Sequence, residues 1–361
     1  MKTRQFFFSG SHPAGVEAPS EPAKVDDQLM RQLKARAAEL PVESRMPSFD
    51  GAISWLNSEP LTPEDLRGKV VAVDFWTYTC VNWLRTLPYV RAWAQKYGDN
   101  GLVVIGVHTP EFPFERDLDN IRKAARDMRV DYPIAVDSDY AIWQSFDNNY
   151  WPALYVVDAQ GRIRAHHFGE GAYDMSEMII QQLLADAGFT GFTDDLVSVQ
   201  PEGTEVAADW QTLESGETYT GYEQGDNFAS PGGVVSDRPN TYVVPNRLRT
   251  NEWALSGNWT IAARPAVLNE AHGRIAFRFH ARDVNLVMGP ARRGSSIRFR
   301  LTLDGKAPGA AHGTEVDDDG QGAASDQRLY QLIRQRGDID DRTFEIEFLE
   351  PGIEAYCFTF G

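Results

Sequence analysis

The chain has 361 residues, 42% hydrophobic and 24% charged, with a formal net charge of −17 at pH 7. That length makes room for two domains of ordinary size, and the composition is that of a folded chain rather than a disordered one. So acidic a balance excludes general nucleic-acid binding, which needs a basic face against phosphate, and no run approaches the ~20 apolar residues of a membrane span.

The N-terminus, MKTRQFFFSGSHPAG, lacks the roughly 7–15 apolar residues of a secretory h-region. No signal peptide is read in it, which points to the cytoplasm. Residues 1–44 are expected to form an arm and a helix. The arm is rich in Pro, Gly, Ser and Ala to about residue 25. The helix is DDQLMRQLKARAAEL, with Leu29, Leu33 and Leu40 in its apolar stripe.

Over residues 45–190 strand and helix patterns alternate. VVAVDFW and GLVVIGVHT read as buried strands. LRTLPYVRAWAQKYG reads as a helix kinked at Pro88 and ended by Gly98, and ERDLDNIRKAARDMRV as a second. ALYVVDAQGRIRAHHFG is a hairpin turning at 159–161, and MSEMIIQQLLADAG a closing helix. The order β-α-β-α-β-β-α, with continuous apolar strands, predicts an α/β sheet covered on both faces, with the thioredoxin topology.

Residues 191–207 read as a linker. From 208 to 361 the helical period almost vanishes, and short alternating strands between Gly, Pro, Asn and Asp turns predict an all-β sandwich or jelly roll.

Two cysteines, Cys80 and Cys357, are too few for a disulfide framework or a Cys-rich zinc site. Cys357, in the alternating tail EAYCFTFG, reads as a small buried hydrophobe. Cys80 follows a buried strand and precedes a helix. There the helix dipole and the first-turn N–H groups favour thiolate. The sulfur then sits at the carboxyl end of the strand, where open α/β sheets bind ligands. Asp74, inside the apolar run, is costly there unless satisfied or used, for example to relay protons at the sulfur. Pro152 opens a strand, where proline is unusual unless its bond is cis or at an edge.

VVAVDFWTYTC, the WP before the hairpin and VVDAQGRI together resemble the thioredoxin-like family, in its TlpA/ResA branch. FWTYTCVNWLRTLPYVRAW with GVHTPEF is similar to the extracytoplasmic part of DipZ-type proteins, where a carbohydrate-module-like β domain follows. GNWT, FRFHARDVNLVMGP and FEIEFLEPGIEAY resemble that module. The resemblance covers about residues 45–361. It implies Cys80 as nucleophile, Asp74 as the buried acid, Pro152 as the cis-proline lining the peptide groove and Trp76 as the tryptophan of the approach. Thr77, Thr79, Trp83 and Trp151 are expected beside them in the groove. It also implies an extracytoplasmic relative.

Trp83 departs from the pattern. It stands where the family keeps its resolving cysteine, so no disulfide forms within this motif. Three readings follow. The first is monothiol thiol–disulfide exchange, resolved by an external thiol. The second is a one-cysteine peroxidase, since Thr77-x-x-Cys80 has peroxiredoxin spacing, although Val73 stands where that motif has proline; Arg85 or Arg164 would supply the cation. The third is a non-catalytic binding protein that uses the groove and the β module. Trp83 either caps the sulfur or floors a substrate site. His108 and Glu111 are candidate support, with His108 able to stabilise a thiolate as an ion pair. His166 and His167 face opposite ways on one strand and make no metal site.

No metal or organic cofactor is implied, and the expected partner is a thiol or disulfide, protein or small. Asp317, Asp318 and Asp319 before Gly320 offer oxygen ligands for calcium but lack EF-hand spacing, so a solvated acidic loop is expected. Among the second domain's aromatics most are expected in the core, with Trp253 or Tyr222 as outside candidates for stacking a sugar. The resemblance implies carbohydrate binding or partner docking there.

Overall fold

The strands among the described residues fall into two sheets, one of seven strands and one of eleven. The computed structural model describes residues 40–361. The arm expected before residue 26, and the helix after it except for Leu40, lie outside the described residues. Two compact units are distinguished. One takes the chain up to Thr77 with Thr86–Glu111 and Leu118–Val199. The other takes Gln200–Gly361 with two short segments, Tyr78–Arg85 and Phe112–Asp117.

The first unit holds strands β1 (Ser44–Arg45), β2 (Ser54–Leu56), β3 (Val70–Trp76), β4 (Leu102–His108), β5 (Ile134–Val136), β6 (Ala153–Val157) and β7 (Arg162–Phe168). They form one sheet in the order β1-β7-β6-β3-β4-β5-β2. β3, β4 and β5 run parallel, while β6 is antiparallel to β3 and β7 to β6. All seven residues of β3 are buried, as a continuous Val-rich strand requires when both faces are covered. Val71, Val73, Phe75, Ile105, Val107 and Tyr155 belong to the core. The helices are α1 (Val81–Tyr97), α2 (Leu118–Asp127), α3 (Ala141–Ser145) and α4 (Tyr173–Asp186); the first turn of α1 is counted with the second unit.

β1, β2, β5 and α3 are absent from the expected order. Each is five residues or fewer, too short to show a period. The hairpin, the two long strands and the closing helix lie where the patterns put them. α1 begins at Val81, three residues earlier than expected, and runs through Pro88 without a break. The left-handed residue after it is Gly101, not Gly98, because a short 3-10 turn over Gly98–Asn100 intervenes.

The second unit holds β8 (Thr218–Tyr219), β9 (Asn240–Tyr242), β10 (Trp253–Ile261), β11 (Ala266–Leu268), β12 (Gly273–Phe279), β13 (Asp283–Pro290), β14 (Ile297–Leu303), β15 (Gln321–Ala324), β16 (Arg328–Arg334), β17 (Arg342–Phe348) and β18 (Ile353–Phe360). Pairing runs β15-β14-β17-β12-β10-β11-β18-β13-β16. β10 makes this path fold over. Its Trp253–Ser256 half pairs β12, while Gly257–Trp259 pairs β9 and Trp259–Ile261 pairs β11. Gly257 has φ 96°, and a Cβ there would stand 3.0 Å from the Gly273 Cα, so the bend requires glycine. The two halves meet face to face: Phe277 and Phe344 from one pack on Phe358 from the other, at ring distances of 5.0 and 6.1 Å. This is the expected all-β sandwich. β9, β15 and β16 were not foreseen as strands.

Candidate thiol site

The first unit gathers one group of the predicted residues at the end of its sheet. Register sets Asp74 beside Gly106 on β4 and Leu154 on β6, and Trp76 beside His108. Pro152 precedes Ala153, the partner of Phe75, and the Trp151–Pro152 bond is cis. Asp74, Trp76, Thr77 and His108 are fully buried, Glu111 and Trp151 half-buried. The Trp76 indole lies across Gly106: a Cβ there would meet Trp76 Nε1 at 2.8 Å and Tyr132 Cε2 at 3.1 Å. Burial and the Asp74 charge push the Tyr132 phenol well above its ordinary pKa. Trp151 donates its Nε1–H to Thr109 O at 3.1 Å and packs on Trp143 at 4.2 Å. Asp137 accepts from the Ile142 and Trp143 N–H groups at 2.9 and 2.8 Å and from the Thr109 hydroxyl at 3.2 Å, so it caps α3.

The thiol itself lies in the second unit's Tyr78–Arg85 segment. Cys80 is half-buried, and its carbonyl accepts from Leu84 N–H at 3.0 Å, which makes it the N-cap residue of α1. Thr79, buried, donates its hydroxyl to Glu115 Oε1 at 2.6 Å. Glu115 is fully buried, and its Oε2 accepts from Phe112 N–H at 2.8 Å. Tyr356 packs on Phe112 and Phe114 at 5.2 and 4.9 Å. Arg85 Nη2 donates to Phe360 O at 3.0 Å. Neither Cys80 nor Cys357 is in a disulfide, and Cys357 is buried in β18.

Several expectations change. His108 is not an imidazolium partner for sulfur: burial lowers its pKa to about 3, so it is neutral at working pH. Trp83 has no exposed surface, and Trp76, Thr77 and Thr79 likewise lie beneath the surface. Of the two cations considered for a peroxide, Arg164 is held by Asp158 and the Pro41 carbonyl and Arg85 by Phe360 O. Trp253 is core, its Nε1–H donated to Asp226 O at 2.8 Å. Asp317 binds the backbone N–H of Asp319 and Gln321. Among the described residues no cluster of His, Cys, Asp or Glu is placed to hold a metal, and no helix is long and apolar enough to cross a membrane.

Glu115 was missed. The signal was present in HTPEFPFER, where a glutamate stands three residues after Phe112 at the start of a Pro-opened turn, the position from which a carboxylate reaches back to a free N–H. In the second unit, Tyr222, Phe228 and Trp253 line a cleft of about 260 Å³ with Val234 and Ser236. Only Tyr222 and Val234 of these are large and exposed, and the Tyr222 hydroxyl donates to Asp237 at 3.0 Å.

Residues 42–166 match the AhpC/TSA family, and residues 215–361 match a thioredoxin-like C-terminal domain. Protein DipZ of Mycobacterium bovis and of Mycobacterium tuberculosis is 38% identical over 331 residues, which is 90% of this chain and 44% of DipZ. The chain thus spans less than half the length of these relatives. The thiol-disulfide oxidoreductase YkuV of Bacillus subtilis is 35% identical over 142 residues, 39% of this chain and 95% of YkuV. With one relative matched almost end to end and another matched through both domains, the chain belongs to the thioredoxin-like family of thiol–disulfide oxidoreductases, followed by that family's C-terminal β domain.

Proposed function

We propose that the protein performs thiol–disulfide exchange with a single cysteine, Cys80. The observation that carries this reading is a half-buried thiol at the N-cap of α1, in a motif whose resolving position is a buried tryptophan, while the chain's other cysteine is buried in β18. The first-turn N–H groups and the helix dipole favour a negative sulfur there. In the forward step the Cys80 thiolate attacks one sulfur of a disulfide. A new S–S bond forms, the old one breaks, and the departing sulfur leaves as thiolate. An external thiolate then attacks the mixed disulfide, takes the substrate sulfur into a new disulfide and returns Cys80 as thiolate. When a second external thiolate attacks that new disulfide, the second substrate sulfur leaves as thiolate, the two external thiols end as one disulfide, and two electrons have passed to the substrate. Asp74 is the buried acid that exchanges the proton and Pro152 the backbone that receives the substrate strand, roles supported by family membership.

The test is turnover of a fluorescent glutathione disulfide with glutathione as resolving thiol. Rate should depend on glutathione and vanish in Cys80→Ser; a variant that keeps the rate overturns the reading. The peroxidase reading is weaker, because both candidate arginines are engaged elsewhere. For the β domain, carbohydrate binding would fall to the Tyr222 cleft, where an exposed aromatic ring stands beside a cavity. Retention on immobilised polysaccharide, lost in Tyr222→Ala, would support it.

A further inference from the structure

Glu115 is a buried carboxylate with no part in the exchange as written. It has no exposed surface, yet it sits one hydrogen bond from the residue that precedes the reactive thiol. Burying a carboxylate among phenylalanine and tyrosine rings is expensive unless its oxygens are well used. Here each oxygen has a task. Oε2 closes the turn at Phe112 N–H, which a neutral side chain of the same length would also do in part. Oε1 takes the Thr79 hydroxyl at 2.6 Å, the short distance expected when the acceptor is ionised.

We propose that Glu115 is a positioning residue for Cys80: through the Thr79 hydroxyl it fixes the loop ahead of the thiol, and its negative charge opposes the helix terminus, so that Cys80 stays partly protonated instead of becoming a permanent thiolate. The inference rests on Cys80 being the exchanging thiol. It deepens that reading by saying how the site's acidity is set. A thiol with pKa near the ambient pH attacks fastest, since deeper acidification costs nucleophilicity.

The charged and titratable groups of the packed segments bear on this. On Glu115's own turn are Arg116 and Asp117, the latter 3.1 Å from Arg293. On α1 is Arg85, turned to Phe360 O. On β18 are Glu354 and Tyr356, joined at 2.7 Å, with Tyr356 kept neutral by burial and by Glu354. Glu115 is the carboxylate of this set linked by a hydrogen bond to the residue next to Cys80.

The experiment is the rate of Cys80 alkylation by iodoacetamide against pH, in a Cys357→Ala background of the full chain. Glu115→Gln is expected to lower the midpoint by about one unit, the order of shift that removing one nearby charge from a partly buried site produces. Thr79→Ser keeps the hydroxyl and should keep the parent's midpoint and limiting rate. Thr79→Val keeps the carboxylate but cuts the link, and should change the limiting rate at least threefold. Midpoint and limiting rate unchanged in both Glu115→Gln and Thr79→Val would overturn the proposal and leave Glu115 a structural staple. If Glu115→Gln does not fold, Thr79→Val decides alone. A parent Cys80 that does not react at any pH below that of an ordinary thiol is a different failure: it removes the exchange reading itself, and this inference with it.

Discussion

Trp76 and His108 end neighbouring parallel strands in register, and their rings meet edge to face at 4.8 Å and 85°. Both rings are fully buried, and it is this burial that keeps His108 from being a charge partner. A ring enclosed this way cannot hold a proton against water, and its pKa falls to about 3.

This makes stability depend on pH. His108 stays neutral in the folded state while the unfolded chain takes up its proton near pH 6.5, so the unfolded state binds more protons below that value. Stability is therefore intact above pH 6.5 and falls as pH drops from there toward 3, by up to about 1.4 kcal/mol per unit. His108→Gln should flatten that part of a urea-unfolding profile. An equal slope in both proteins would show that His108 titrates normally.

Gly106→Ala should destabilise by about 1–3 kcal/mol, the usual cost of overpacking. The added methyl would stand 2.8 Å from Trp76 Nε1 in a strand with no room to shift. Urea midpoints read the effect; an unchanged midpoint would mean that Trp76 moves freely.

Trp253→Ala should cost about 3–5 kcal/mol through the cavity left in the β domain, because the ring is buried and packs on Phe228 at 4.7 Å. The loss would appear in thermal unfolding of the second unit. Tyr222→Ala, at an exposed ring, should stay within about 0.5 kcal/mol. Equal losses would contradict the burial of Trp253 in the core and the exposure of Tyr222 at the cleft.

Much of this was legible in the sequence for physical reasons. Val70–Trp76 and Leu102–His108 are continuous apolar runs that only a doubly covered sheet can use. The alternation in Ile297–Leu303 is that of a strand with one face in a core. The cis bond at Pro152, the burial of Asp74 and the place of Cys80 at the head of a helix were also expected from their positions. Burial of the other candidates was not legible. FWTYTC gives no sign that Trp76, Thr77 and Thr79 all lie beneath the surface, nor VNW that Trp83 does. Glu115 escaped because its partner, Thr79, is 36 residues away, and one sequence does not announce such pairings. Several strands of two to four residues, such as Ile134–Val136, were missed because their pairing is decided by neighbours rather than by their own pattern.

The most direct test of single-cysteine exchange is intact-mass analysis after brief exposure of the reduced protein to glutathione disulfide at pH 7. The account predicts one glutathione per chain, mapped to Cys80, released by added thiol and absent in Cys80→Ser, with buried Cys357 unmodified. An unmodified chain, or an adduct on Cys357 alone, would contradict it.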